Sequence, residues 1–348
     1  MTIQRPGAVT LSDVAAAAQV SRATASRVLA GDGRVGAGYR SAVLAAAQRL
    51  GYVPNRAARS LRTRRSGSVG VVLAEPSAVV FGNPFFGQLL AGIAQSLNER
   101  DLQLTLFIPQ NERDEQRLQS YLASGHVDGV LLTFYQDRDP LYEQLAKNGI
   151  PVVVNARPLQ ASSASYVDAD NEGGAAMAVE HLLAEGCRTI ATIAGPLGTS
   201  AGAERLAGFR RALQLAGRPA EEDLIRVGDF TTRSGRELTV SLLADRPDID
   251  GLFVAGELMA YGALSALHRM GRAVPWDVAV VSFDDLPEAA TTDPPLTSIH
   301  QPVEQMGREM TRLLLAQLDD DDRIPRQVIL GTHLVVRESS HRQGGSSA

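Results

Sequence analysis

From Ser68 onward, short unbroken apolar runs alternate with amphipathic stretches, and that alternation limits the fold more than anything else in the chain. Residues 69–74, 102–108, 127–133 and 150–155 read as strands, with helical periodicity at 85–100, 112–124 and 141–148 between them. Strands that are apolar throughout must be buried on both faces, the signature of a parallel sheet covered by helices. The rhythm restarts near Tyr166. Helices are expected at 171–185, 204–216, 233–243 and 259–270, and strands at 189–194, 224–228, 251–255 and 278–283. Pro294-Pro295 marks a crossing back, followed by a helix at 303–318 and a last strand at 328–337. The expected fold class is therefore α/β, with two consecutive parallel-sheet subdomains.

The first 66 residues have another texture. Thr10 can cap a helix, with Asp13 reaching back to the cap amide. Leu11, Val14, Ala15 and Ala18 share one face at 3.6-residue spacing. Gln19-Val20 make a turn, Ser21 caps a second helix, and Ala25, Val28 and Leu29 form its buried side. Arg22, Ala23, Ser26 and Arg27 stay outside. A small helix with arginines on its outer face suits the major groove of DNA, where arginine can fork the O6 and N7 edge of guanine. Tyr39, Val43, Leu44, Ala47 and Leu50 give a third helix its apolar stripe, and Gly51 ends it. Next, Pro54 closes the segment, Asn55 can cap, and residues 56–62 form up to two turns of helix. That helix is too short to persist without a partner. Arg56, Arg59, Arg62, Arg64 and Arg65 point to DNA phosphates as the partner.

Charge supports the division. The chain carries a net −5, but residues 1–66 balance at +9 and the remainder at −14. Positive charge is gathered where nucleic acid is expected.

The runs Val9–Ala15, Val20–Leu29 and Leu50–Leu61 make the chain resemble the lac-repressor (LacI/GalR) family of bacterial transcription regulators, and the resemblance continues through almost the whole length. It implies a helix-turn-helix domain at 1–54, a hinge helix and linker at 55–66, and an effector-binding and dimerisation domain at 67–340. That body would resemble a periplasmic sugar-binding protein, with an N-subdomain at about 67–165 plus 297–325, a C-subdomain at about 166–293 plus 326–340, and a polar tail at 341–348. The implied DNA-binding residues are Thr10, Ser21, Arg22, Ala23, Thr24, Ser26 and Arg27 on the head, and Asn55, Arg56, Ala58, Arg59 and Leu61 on the hinge. Leu61 would act as a wedge between base steps. Two departures bear on the head's stability: Gln19 stands where the family usually has glycine, and Gly36-Ala-Gly38 replaces a capping serine.

Open parallel sheets bind ligands beyond the C-terminal ends of their strands. Side chains suited to a polyol gather there: arginine to fork hydroxyls, carboxylates to accept from them, aromatic faces for the C–H side. With the resemblance, the candidate effector contacts are Asn83, Phe85, Phe86, Arg157, Arg205, Phe230, Glu257, Asp284 and Gln301. Gly256-Glu257 replaces the family's common Asn-Asp, and Ala156 an acidic residue, which suggests a ligand larger or less hydroxylated than a hexose. Thr199 and Ala201 are small where purine-sensing relatives are bulky or charged, which disfavours a purine.

The expected function is a sequence-specific DNA-binding repressor, controlled by a sugar-like effector and working on pseudo-palindromic operator DNA. The alternative is a periplasmic-type solute-binding protein without DNA function. An enzyme is not expected: there is no Gly-x-Gly-x-x-Gly after a strand, no Walker loop, and the histidines at 126, 181, 268, 300 and 333 are scattered. No cofactor and no metal are expected. The single cysteine, Cys187, fits a core thiol in a reducing cytoplasm, with the protein at the nucleoid. No apolar run is long enough to span a membrane. The tail lacks leucine heptads, so a homodimer is expected.

Overall fold

The structure is a computed structural model that describes residues 9–29, 31–53, 65–133, 140–159, 163–319 and 324–342. Of the expected hinge, Asn55, Arg56, Ala58, Arg59 and Leu61 lie outside the described residues. Contacts divide the chain into two units, 1–66 and 67–348.

The first unit is helical: α1 (Leu11–Ala17), α2 (Arg22–Leu29) and α3 (Ala37–Leu50). Thr10 and Asp13 cap α1 reciprocally: the Thr10 amide donates to Asp13 Oδ2 at 2.8 Å and the Asp13 amide to Thr10 Oγ1 at 3.3 Å. Gln19 holds the turn at φ 54°, in the left-handed region where glycine is at ease. Ser21 caps α2, accepting from the Thr24 amide at 3.1 Å. Gly36 gives α3 no side-chain cap, and Gly51 closes it at φ 64°. The face of α3 differs from the expected stripe. Val43, Ala46 and Ala47 are buried, whereas Tyr39 and Leu44 are 60% and 50% exposed. The alanine face brings α3 close to Val14, Ala15, Ala25 and Val28, leaving the larger side chains outside.

The second unit contains two six-stranded sheets. The first is built from β1 (Ser68–Leu73), β2 (Gln103–Phe107), β3 (Gly129–Thr133), β4 (Val152–Asn155) and β5 (Ser165–Ala169), with α4 (Ser77–Gly82), α5 (Pro84–Asn98), α6 (Glu112–Ala123) and α7 (Pro140–Lys147) between strands. The second follows with α8 (Asn171–Ala184), β6 (Ile190–Ala194), α9 (Ser200–Leu215), β7 (Ile225–Val227), α10 (Thr232–Asp245), β8 (Gly251–Val254), α11 (Glu257–Arg269), β9 (Ala279–Asp284) and β10 (Thr297–His300). The chain then returns through α12 (Val303–Asp319) and β11 (Gln327–Leu330) and ends with β12 (His333–Val335). The strand orders are β11-β5-β4-β3-β1-β2 and β12-β10-β9-β8-β6-β7. All pairings are parallel except β10 with β12. Each order reverses beside the first strand of its sheet, β1 or β6, which is where such sheets open a crevice.

The chain crosses between sheets three times: after β5, after β10 and after β11. These positions correct the expected subdomain limits. β5 pairs with β4, so 165–169 stays in the first sheet; β10 pairs with β9, so 297–300 belongs to the second. The single expected strand at 328–337 is two, β11 beside β5 and β12 beside β10. Neither β5 nor β10 was expected as a strand, since Ser165, Asp168, Thr297 and Ser298 break their apolar runs. The short helix α4 was not expected at all.

Glycine sets the close approach of the helix pairs. A Cβ at Gly92 on α5 would meet the Glu304 carbonyl oxygen at 2.0 Å, and one at Gly307 on α12 the Leu89 carbonyl oxygen at 2.3 Å. The two helices touch backbone to backbone, and α12 thereby seals the first sheet although it follows the second in sequence.

Candidate functional site

A cleft of about 250 Å³ lies at the C-terminal ends of the strands, with walls from both sheets. Eight of the nine expected effector residues line it: Asn83, Phe85, Phe86, Arg205, Phe230, Glu257, Asp284 and Gln301. Arg157 does not. Its amide is tied to Asp168 Oδ2 at 2.7 Å, and its guanidinium turns to Glu204 at 3.3 Å.

Arg205 is the cleft's centre. It sits in the second turn of α9, whose start Thr199 caps by accepting from the Gly202 amide. Its side chain is 5% exposed. Nε donates to Asn171 Oδ1 at 2.9 Å, Nη1 to the Ala255 carbonyl at 2.9 Å and to Asp284 Oδ1 at 3.2 Å, and Nη2 to Gln301 Oε1 at 2.8 Å. The guanidinium lies 3.6 Å from the centroid of the Phe283 ring. Burial disfavours both charges, pushing Asp284 up and Arg205 down, and each opposes that push on the other. The expected fork toward ligand hydroxyls is thus largely turned inward. Arg205 fixes the side chains that face the ligand space.

Glu257 begins α11 and is fully buried. Its carboxyl accepts from the Tyr261 hydroxyl at 2.5 Å, the Leu286 amide at 3.0 Å and the Ser298 hydroxyl at 3.3 Å. Desolvation pushes its pKa up to about 8, against the pull of those donors. Glu257 therefore braces the loop after β9.

Phe230 stands at φ 61°, and its ring occupies the space that side chains at positions 195 and 256 would need. A Cβ at Gly195 would lie 2.2 Å from it, and one at Gly256 2.8 Å. This explains the glycine at 256. Ala156, Phe230 and Asp284, all lining the cleft, hold positive φ values of 136°, 61° and 107°. Non-glycine residues in that region are strained, and such strain gathers at functional sites.

Residues not singled out in the sequence also line the cleft: Glu75, Asn155, Asp168, Asn171, Ser200 and Met306. Asp168 organises one wall, accepting from the Ala169 amide, Asn171 Nδ2, the Arg157 amide and the Ser200 hydroxyl. The available signal was an aspartate inside an otherwise apolar strand.

In the helical unit, Arg22, Ala23 and Arg27 are exposed on α2, and Thr24 and Ser26 are half-buried. Arg27 Nε reaches the Ala23 carbonyl at 3.4 Å, holding its side chain along the helix. Ser21 Oγ and Thr24 Oγ1 bond at 2.9 Å, and Thr10 is engaged as the cap of α1. Cys187 is buried, with its thiol pushed up to about 12 by desolvation, and has no nucleophile's character. Among the described residues no group of three or more acidic, histidine or cysteine side chains could hold a metal, and no helix is long and apolar enough to cross a membrane.

Residues 10–55 match the bacterial regulatory proteins of the lacI family, and residues 179–340 match the periplasmic binding protein-like domain. The HTH-type transcriptional regulator CelR of Thermobifida fusca is 46% identical over 332 residues, covering 95% of this chain and 98% of that protein. Among solved structures, a CelR–cellobiose complex shares 44% identity with a TM-score of 0.77, covering 95% of this chain and all of that one. A lac repressor dimer bound to operator and the anti-inducer ONPF shares 27% identity with a TM-score of 0.83, covering 96% of this chain and 99% of that one. With a capped helix-turn-helix, two parallel-sheet lobes around a cleft, and relatives matched end to end, the chain belongs to the lacI family of bacterial regulatory proteins.

Proposed function

We propose that this protein is a homodimeric repressor that binds pseudo-palindromic operator DNA through α2, and that a saccharide in the cleft controls its grip. Arg22, Ala23 and Arg27 are the base-reading candidates, because they are the exposed residues on the outer face of the recognition helix. The hinge roles of Asn55, Arg56, Ala58, Arg59 and Leu61 rest on the resemblance. Cytoplasmic residence at the nucleoid follows from the DNA role.

One observation carries the effector reading. A buried arginine ties Asn171, Asp284 and Gln301 into a single polar wall, in a cleft of about 250 Å³ that Phe85 and Phe230 also line. Polar groups fixed in place beside aromatic faces are what a sugar ring requires. A disaccharide such as cellobiose is the first candidate, because it occupies the solved structure of the 44% identical relative.

The test has two parts. Binding of cellobiose, glucose, ribose and hypoxanthine is measured by calorimetry, with the disaccharide expected to bind tightest. DNA binding is followed by anisotropy on a palindrome selected from random duplexes, with and without the bound sugar. Arg27→Ala should weaken the selected site by roughly 1–3 kcal/mol. The reading fails if no duplex is preferred over random sequence, or if no saccharide alters DNA affinity.

A further inference from the structure

The lining of the cleft is lopsided in charge. Among its described residues Arg205 is the one cation, while Glu75, Asp168, Asp229 and Asp284 carry carboxylates and Glu257 adds a carboxyl that holds its proton up to about pH 8. Arg205 is already committed to four protein acceptors and to the Phe283 ring. The neighbouring Arg157 faces Glu204 instead. Among the described residues no guanidinium is left to meet a phosphate or carboxylate on a ligand.

Helix starts are the other usual anion receptors, because their free amides point outward. Around this cleft each start already gives at least one of its amides to a protein acceptor, and at α4 the Ser77 amide donates to Gln110 Oε1 at 3.0 Å. Asn83 accepts from the Phe85 amide at the start of α5, Asp170 from Gly173 at α8, Thr199 from Gly202 at α9 and Thr231 from Ser234 at α10. At α11 the Glu257 amide is directed to Asp284 Oδ2 at 3.4 Å.

Four of the five carboxyl groups have partners. Asp168 accepts four hydrogen bonds, Glu257 three, Asp284 faces Arg205, and Asp229 Oδ1 accepts from the Thr231 amide and hydroxyl. Glu75 differs. It follows β1 at the cleft wall, and among the described residues no donor or cation reaches its carboxyl group. Burial alone pushes its pKa up, the mark of a carboxylate with nothing to offset its desolvation.

We propose that the cleft sorts effectors by charge: it takes an uncharged saccharide or a cationic amino sugar and rejects the phosphorylated counterpart, with Glu75 as the specificity-determining residue. This rests on the saccharide reading above. An ammonium group on the ligand supplies the partner that Glu75 lacks. A phosphate adds like charge where no described cation is free to compensate it, which costs on the order of 100-fold in affinity.

Calorimetry at low salt and about pH 6, below the range where such amines lose their proton, compares three ligands of one shape. They are cellobiose, the β-1,4-linked glucosamine disaccharide and 6′-phosphocellobiose. The wild-type protein should bind the diamino disaccharide at least as tightly as cellobiose and the phosphorylated one about 100-fold more weakly. In Glu75→Gln the affinity ratio of amino sugar to cellobiose should fall, and that of phosphosugar to cellobiose should rise. Phosphocellobiose binding within tenfold of cellobiose, or ratios unmoved by Glu75→Gln, would overturn the proposal while leaving the saccharide reading intact. If none of the three binds, the saccharide reading falls and this one with it.

Discussion

Arg205 donates from Nη2 to Oε1 of Gln301 at 2.8 Å, and that bond joins the ligand wall to a crossing between lobes. Gln301 is the first residue after β10, where the chain leaves the second sheet for α12. The same guanidinium holds Asn171, which begins α8 just past the β5 crossing. Removing it leaves Asp284 buried without its cation, so Arg205→Ala is expected to cost about 3–5 kcal/mol in chemical denaturation. Arg205→Lys keeps the charge but cannot span four acceptors. Combined with Gln301→Ala it should show a coupling of about 0.5–3 kcal/mol in a double-mutant cycle. Strict additivity would mean that the bond carries no energy.

Phe230 depends on the missing side chains of Gly195 and Gly256. Gly195→Ala places a methyl 2.2 Å from its ring, and the ring must swing. The adjustment is local to the cleft, so effector affinity should fall at least tenfold while the melting temperature shifts by only about 4 °C or less, the equivalent of roughly 1 kcal/mol or a little more. A Gly195→Ala protein that binds its sugar normally would show that Phe230 does not shape the pocket.

Glu257 predicts a pH dependence. Its folded pKa of about 8 lies above the ordinary 4.5, so the folded protein holds a proton there that the unfolded chain has lost between those values. Unfolding stability therefore falls as pH rises across that window, by up to about 1.4 kcal/mol per pH unit from this group, and levels off above it. Glu257→Gln mimics the protonated form, its amide facing Tyr261 and its oxygen facing Leu286. Stability measured from pH 5 to 8 should be flatter in the variant; an unchanged slope would locate the titration elsewhere.

Gly92 and Gly307 let α5 and α12 approach until backbones touch. Gly92→Val must push α12 away from the first sheet, and overpacking of this kind costs about 1–3 kcal/mol or more. Thermal unfolding of the body should show it. Gly82→Ala, at a position where an added Cβ meets nothing within 4 Å, serves as the control and should not.

Gln19 carries its left-handed turn without glycine's freedom. Gln19→Gly relieves about 1–2 kcal/mol of backbone strain. It also returns about 0.4–1 kcal/mol of entropy to the unfolded chain. The strain is the larger quantity, so the head should gain a few tenths of a kcal/mol or more in its own melting transition. A loss would mean that the Gln19 side chain contributes more than its φ costs.

Local chemistry was legible in the sequence and long-range assignment was not. The Thr10–Asp13 cap, the Gln19 turn, the uncapped start at Gly36 and the apolar strands up to 278–283 all follow from neighbouring residues, and these are found. The missed strands β5 and β10 and the subdomain limits drawn through them have the opposite character, as does the sheet that β11 joins, since a strand's partner is decided by chain far away. Tyr39 and Leu44 satisfied helical spacing, yet Ala46 gives a tighter fit, and spacing alone cannot weigh the two. Arg157 followed a strand as a ligand-facing arginine would, but Glu204, 47 residues on, draws its charge aside. Asp168 was passed over because its four donors come together only in the folded wall.

The three crossings bear on how the molecule is made. β5, already synthesised early, waits for β11 as its outer neighbour, and the first sheet stays uncovered until α12 emerges and seats Gly307 against Leu89. The second sheet in turn lacks β12 until residues 333–335 arrive, and Ser339 then bonds to Val280 and Thr297. Neither lobe can finish on the ribosome ahead of the other. Both lobes are therefore completed by the same last stretch of chain, and a product that stops short of residue 333 leaves the second sheet without its outer strand.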